Sequence, residues 1–130
     1  MFESKRILIV EDSLVLSLVE QRMVQRLGCT VVGNVDNGKE AISIFRENSP
    51  DCILIDVWLN GEIDGIEVIK KIRQEAAVPV IFITGDLELL AERCEYEKGY
   101  TEVIIKPFTA EMLTKTLKRI FQTDHMSQVS

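Results

Sequence analysis

The sequence predicts an α/β domain, a doubly wound parallel sheet of five strands in the order 2-1-3-4-5 with five helices over its two faces. Three observations carry this. Five short, nearly continuous runs rich in Ile and Val recur along the 130 residues, the pattern of strands covered on both faces. Segments with helical period lie between them. The two kinds alternate five times, which predicts right-handed βαβ crossovers closing into a parallel sheet.

Taken in order, the elements have recognisable ends. Arg6 to Val10 reads as the first strand. Ser13 can cap a helix from Leu14 to Leu27, closed by Gly28. Thr30 to Val35 is the second strand, and Asn37 with Gly38 opens the second helix. Pro50 separates that helix from the third strand, Cys52 to Ile55. Asp64 starts a third helix through DGIEVIKKIR, and Pro79 precedes the fourth strand, Val80 to Thr84. Leu87, Leu90, Ala91 and Cys94 fall at i, i+3, i+4, i+7, predicting a fourth helix with that stripe inward. Val103 to Ile105 is the fifth strand. After Pro107, Leu113, Leu117, Ile120 and Phe121 mark the core face of a fifth helix. The five-strand order is the flavodoxin-like arrangement. The domain is expected to span residues 1–122, leaving 123–130 as a polar C-terminal tail.

Composition narrows the function. At 130 residues there is room for one core and no second domain. Apolar residues make up 46% and no run is long enough to cross a membrane, so a soluble domain is expected. MFESKR lacks the apolar stretch of a signal peptide, which predicts a cytoplasmic protein. Cys29, Cys52 and Cys94 are odd in number, far apart and set among apolar neighbours, so they read as buried or half-buried thiols. A single histidine, His125, excludes a His-rich metal site and the usual Ser-His-Asp triad. A net charge of −6 argues against direct nucleic-acid binding, which needs cations to neutralise phosphates.

In a sheet of this kind all strands end on one edge, and ligands bind there between strands one and three. Strand one ends in Glu11 and Asp12, strand three in Asp56, strand four in Thr84, and strand five in Lys106 before Pro107. Neighbouring strands lie about 4.8 Å apart, so these side chains should meet in one pocket. Three carboxylates together repel each other unless a cation or protons compensate, and Mg2+ suits oxygen ligands that leave room for water and phosphate. Cation, lysine and hydroxyl are what a transferring phosphoryl group needs around its oxygens.

The motifs ILIVEDS, LIDVWL, DGIEVIKKIR, VPVIFITGD and IIKPF, in this order from about Lys5 to Phe121, resemble those of the receiver domains of two-component response regulators. The resemblance implies that Asp56 accepts a phosphoryl group from the phosphohistidine of a sensor histidine kinase or histidine phosphotransfer protein. It further implies that Asp12, Asp56 and the backbone carbonyl of Trp58 ligate Mg2+, with Glu11 acting through water. Lys106 would pair with Asp56 or its phosphoryl group, Thr84 would bond a phosphoryl oxygen, and the Lys106–Pro107 bond would be cis. Gly85 would leave space for the phosphoryl group. Trp58 and Asp86, two positions beyond Asp56 and Thr84, are candidates for tuning hydrolysis of the aspartyl phosphate. The surface of the fourth helix, fifth strand and fifth helix would change on phosphorylation, and homodimers could form through it.

Two departures stand out. The family's aromatic switch position, three residues before the lysine, holds Val103. Tyr100 is nearby, but its offset along an alternating strand suits substitution poorly. After Asp56, Asn60-Gly61 stands where many receivers have proline, and Glu62-Ile63 lengthens the loop. Two other functions fit parts of the pattern. An aspartyl-phosphate phosphohydrolase normally needs an acid two residues after the nucleophile, where this chain has Trp58. A phosphorylation-independent interaction module would not need Glu11, Asp12, Asp56, Thr84 and Lys106 together. The sequence leaves open whether the domain acts alone or within a larger regulator or hybrid kinase.

Overall fold

Strands β1 (Arg6–Val10), β2 (Thr30–Val35), β3 (Cys52–Ile55), β4 (Val80–Thr84) and β5 (Thr101–Ile105) form one parallel sheet in the order β2-β1-β3-β4-β5. The computed structural model describes residues 1–94 and 97–129, with side chains as far as residue 122 at the C-terminal end. Helices α1 (Leu14–Arg26), α2 (Gly38–Asn48), α3 (Gly65–Glu75), α4 (Leu87–Arg93) and α5 (Ala110–Val129) connect and cover the sheet. The predicted topology is therefore the observed one. Among the described residues no helix is long and apolar enough to cross a membrane.

Strand alternation splits the core in two. Leu8, Val10, Ile53, Ile55, Val80 and Phe82 face α2, α3 and α4 through Phe45, Ile69, Ile72 and Leu90. Ile7, Ile9, Cys52, Leu54, Ile81, Ile83 and Ile104 face the other way, onto α1 and α5 through Val24, Leu113, Leu117 and Ile120. Successive side chains point to opposite faces, so a strand with helices on both sides must be apolar throughout. β3 meets this in full, with all four residues buried.

The caps follow the expected chemistry. Ser13, Asn37 and Asp64 each accept a hydrogen bond from the backbone N–H three residues on, at 3.3, 3.0 and 2.9 Å. Each supplies a partner for one of the unpaired donors of a helix start. Three expectations change. β5 begins at Thr101, two residues before Val103, because its polar first residues are buried with partners from other elements. Arg73 of α3 donates to Thr101 Oγ1 at 2.7 Å, and Arg119 of α5 donates to Glu102 Oε1 at 3.0 Å. In α4 the predicted stripe holds in part: Leu90 is buried and Cys94 packs on the core, but Leu87 and Ala91 are exposed. Leu89 takes the second inward position. The backbone of α5 continues as helix to Val129, through most of the expected tail at 123–130. Side chains there, His125 included, lie outside those described.

α1 reverses the usual amphipathic arrangement. Its buried positions are Ser17, Glu20 and Val24, while Leu14 and Val15 are 75% and 71% exposed and Leu18 is half exposed. The apolar residues of its first turns point to solvent and an acid points inward, while Val24 keeps to the core.

Candidate functional site

Register brings the acids together. Val10 pairs with Ile55 in the ladder, so Glu11 and Asp56 leave adjacent strands side by side. One further backbone bond fixes each: Glu11 N–H donates to Val35 O at 2.9 Å and Asp56 N–H to Val10 O at 3.0 Å. Across the sheet Thr84 pairs with Ile105, and Lys106 N–H donates to Thr84 O at 2.9 Å. The Lys106–Pro107 peptide bond is cis.

Lys106 Nζ donates to Asp56 Oδ2 at 2.7 Å and lies 3.0 Å from Glu11 Oε1. The second contact is an ion pair rather than a directed bond, and Oε1 accepts no hydrogen bond. Glu11 Oε2 accepts one from Ser13 N–H at 3.1 Å. Carboxylate oxygens of Glu11, Asp12 and Asp56 all lie within 4.8 Å of one another, with Glu11 and Asp56 buried and Asp12 open to solvent. Burial raises the Glu11 carboxyl above its usual range, against the pull of Lys106 and Ser13. Burial also works against the Lys106 charge, but its hydrogen bond to Asp56 and its ion pair with Glu11 outweigh that and raise it. Three carboxylates against one ammonium leave a formal excess of two negative charges among hard oxygen donors. With a buried oxygen of Glu11 lacking a hydrogen-bond partner, that donor set fits a divalent oxygen-seeking cation.

The hydroxyl side of the pocket is built from the β4–α4 turn. Thr84 is fully buried, and its Oγ1 accepts from Asp86 N–H at 3.1 Å. A Cβ built on Gly85 would meet nothing within 4 Å, so no packed neighbour in the fold requires glycine there and the space beside the turn is open. Asp86 Oδ1 caps α4 by accepting from Leu89 N–H at 3.1 Å, and Oδ2 accepts from Trp58 Nε1 at 3.2 Å. Trp58, 54% exposed, thus joins the loop after β3 to the turn after β4. Val103 pairs with Phe82 and packs partly buried on the core. Tyr100 stands apart from the pocket, with the Arg73 guanidinium 4.1 Å from its ring centroid. The long loop after Asp56 is fastened at Asn60, which donates to the backbone O and to Oδ2 of Asp36, both at 3.1 Å.

Two residues that matter here went unread in the sequence. A Cβ on Gly65 would fall 2.0 Å from the carbonyl oxygen of Asp56, and Gly65 N–H donates to Val57 O at 2.7 Å. The glycine lets α3 begin against the backbone of the site, and its signal was the Asp-Gly pair at the helix start. Glu20 is 1% exposed, has an oxygen with no partner, and lies against Glu11. Burial foremost, then the negative charge of Glu11, pushes its carboxyl up to about 9. The signal for Glu20 was its place three residues after Ser17 and four before Val24, on the inward stripe of α1.

Sequence comparison places the chain in a family. The pattern described as the response regulator receiver domain matches residues 7–118, and the chain belongs to that family. It is 30% identical over 122 residues to the transcriptional regulatory protein CseB of Streptomyces avermitilis, covering 94% of this chain and 51% of that protein. It is 29% identical to the chemotaxis protein CheY of Thermotoga maritima, covering 89% of this chain and 97% of CheY. The chain thus spans about half the length of CseB and nearly all of CheY. Among solved structures, the receiver domain of the PhyR response regulator from Erythrobacter litoralis superposes with a TM-score of 0.83 at 28% identity, covering 92% of this chain and 91% of that one. As a response regulator receiver domain, the chain is of the kind used in two-component signalling.

Proposed function

We propose that the domain is a phosphoacceptor switch of a two-component phosphorelay, in which a carboxylate oxygen of Asp56 attacks the phosphorus of a phosphohistidine. The donor is a sensor histidine kinase or a histidine phosphotransfer protein. The P–N bond breaks as the O–P bond forms, and the donor imidazole leaves with the electron pair. The observation that carries the reading is the cluster of Glu11, Asp12 and Asp56 oxygens within 4.8 Å, clamped by Lys106.

In this reading Asp12, Asp56 and the carbonyl of Trp58 would hold Mg2+, with Glu11 acting through water. When bound, Mg2+ offsets the charge of the transferring phosphoryl group. Lys106 neutralises a phosphoryl oxygen from the other side, and Thr84 donates its hydroxyl to a second. Gly85 leaves room beside them. Trp58 and Asp86, bonded across the mouth, restrict the water that would hydrolyse the aspartyl phosphate. The domain is accordingly no enzyme toward outside substrates; it catalyses its own phosphorylation and dephosphorylation. The exposed apolar residues of α1, which start two positions after Asp12, suit contact with the donor. Leu87, Ile105 and Met112, exposed on α4, β5 and α5, suit an output surface and a homodimer contact.

The test is incubation with acetyl phosphate and Mg2+, read by intact mass. Wild type gains one phosphoryl group, the gain disappears with EDTA, and Asp56→Asn gains none. Retained labelling of Asp56→Asn overturns the site assignment. No uptake by wild type favours the phosphorylation-independent module.

A further inference from the structure

We propose that Asp86 relays the phosphoryl signal from Thr84 to the start of α4 and to Trp58, in place of an aromatic side chain at position 103. The inference rests on the phosphoacceptor reading and concerns how that site reports its state. Asp86 is bonded through three different atoms to three parts of the molecule. Its N–H donates to Thr84 Oγ1, its Oδ1 accepts from Leu89 N–H in the first turn of α4, and its Oδ2 accepts from Trp58 Nε1. These bonds, of 3.1, 3.1 and 3.2 Å, link the hydroxyl of the pocket, a helix and the loop after Asp56.

Val103 has no ring to swing, and its place in the ladder opposite Phe82 holds it against the core. The turn through Gly85 has the opposite character. A Cβ on Gly85 would meet nothing within 4 Å, so no side chain packs against the turn at that position. α4 is poised to respond. It has seven residues, of which Leu90 is the buried one. Its last residue, Arg93, is tied to the N-cap of α3 by Nη1 donating to Asp64 Oδ2 at 2.6 Å. The helix is thus fastened at its C-terminal end by an ion pair and at its N-terminal end by Asp86.

A Thr84 hydroxyl drawn inward to donate to a phosphoryl oxygen carries Oγ1 away from Asp86 N–H. Asp86 then follows or lets go, and either movement disturbs its bonds to Leu89 and Trp58. The start of α4 loosens while Arg93 holds its far end.

The experiment uses the full chain with acetyl phosphate and Mg2+. Intact mass reports phosphorylation, emission of the sole tryptophan reports Trp58, and amide hydrogen exchange over residues 87–93 reports α4. Phosphorylated wild type should exchange in the first turn of α4 roughly fivefold faster, the factor that a cap of about 1 kcal/mol corresponds to, with a change in Trp58 emission. Asp86→Ala should show fast exchange and altered emission before any phosphodonor is added. Val103→Ala should keep the phosphorylation-dependent change. Uptake by wild type with neither exchange nor emission altered overturns the relay alone. A response lost in Val103→Ala but kept in Asp86→Ala also overturns it. No uptake by wild type removes the phosphoacceptor reading, and the relay with it.

Discussion

The two sides of the pocket are built differently. The acidic side comes from β1 and β3, the paired centre of the sheet, where backbone bonds fix Glu11 and Asp56 and Lys106 clamps both carboxylates. The hydroxyl side comes from the turn between β4 and a seven-residue helix, where Thr84, Asp86 and Trp58 are joined by single hydrogen bonds. The acids sit on paired, buried strands, whereas beyond the buried Thr84 the chain turns at Gly85 through open space into a short helix. The proposed nucleophile and the proposed switch would therefore share one pocket without sharing one stiffness.

The largest effect should come from the acidic side. Asp56→Asn should abolish phosphoryl uptake measured by intact mass, and Asp12→Ala should abolish it through loss of the cation. Next is Lys106→Met, which leaves two buried carboxylates without their counter-charge. It should lower metal-free stability by about 3–5 kcal/mol in urea unfolding, with Mg2+ restoring part of the loss. Full stability without metal would show that the clamp contributes little.

Glu20 comes third. Its carboxyl is raised from 4.5 to about 9, so between those values the folded chain holds a proton that the unfolded chain has released. The Glu20 contribution to metal-free stability should therefore be full below 4.5 and be lost as pH rises toward 9. Glu20→Leu, which removes a buried oxygen without a partner, should stabilise by about 1–3 kcal/mol near neutral pH. It should also flatten the difference between urea unfolding at about pH 5 and about pH 8. An unchanged slope would place the buried proton elsewhere. The smallest effect on stability is expected at Leu14→Ser, on the exposed face of α1, within about 0.5 kcal/mol by urea unfolding. Phosphoryl transfer from a histidine donor should fall instead, if that face meets the donor.

The same contrast governs what could be read from the sequence. Strands covered on both faces announce themselves, so β1, β3 and β4, with the acids that follow β1 and β3 and the threonine that ends β4, followed from apolar runs alone. Ladder register then did the rest, because strands that start together deliver their last residues to one place. Polar residues buried with distant partners were not readable in this way. Thr101 and Glu102 belong to β5 only because Arg73 and Arg119 reach them. α4 was read as a stripe that includes Leu87 and Ala91, yet so short a helix buries little, and Leu89 turns inward instead. The ends of α1 were legible, at Ser13 and Gly28, but its inward face was not, since apolar periodicity assumes that apolar residues face the core. Glu20 and Ser17 occupy that face while Leu14, Val15 and Leu18 do not. The bonds of Asp86 depend on loop geometry that no spacing rule encodes.

The most direct measurement traps the acyl phosphate where it forms. Phosphorylated protein is reduced with borohydride, which converts an aspartyl phosphate to homoserine, then digested and read by peptide mass. The account predicts homoserine at position 56, dependent on Mg2+ and lost in Asp56→Asn. Homoserine at Asp12 or Asp86, or none in a protein that has gained a phosphoryl group, would contradict it.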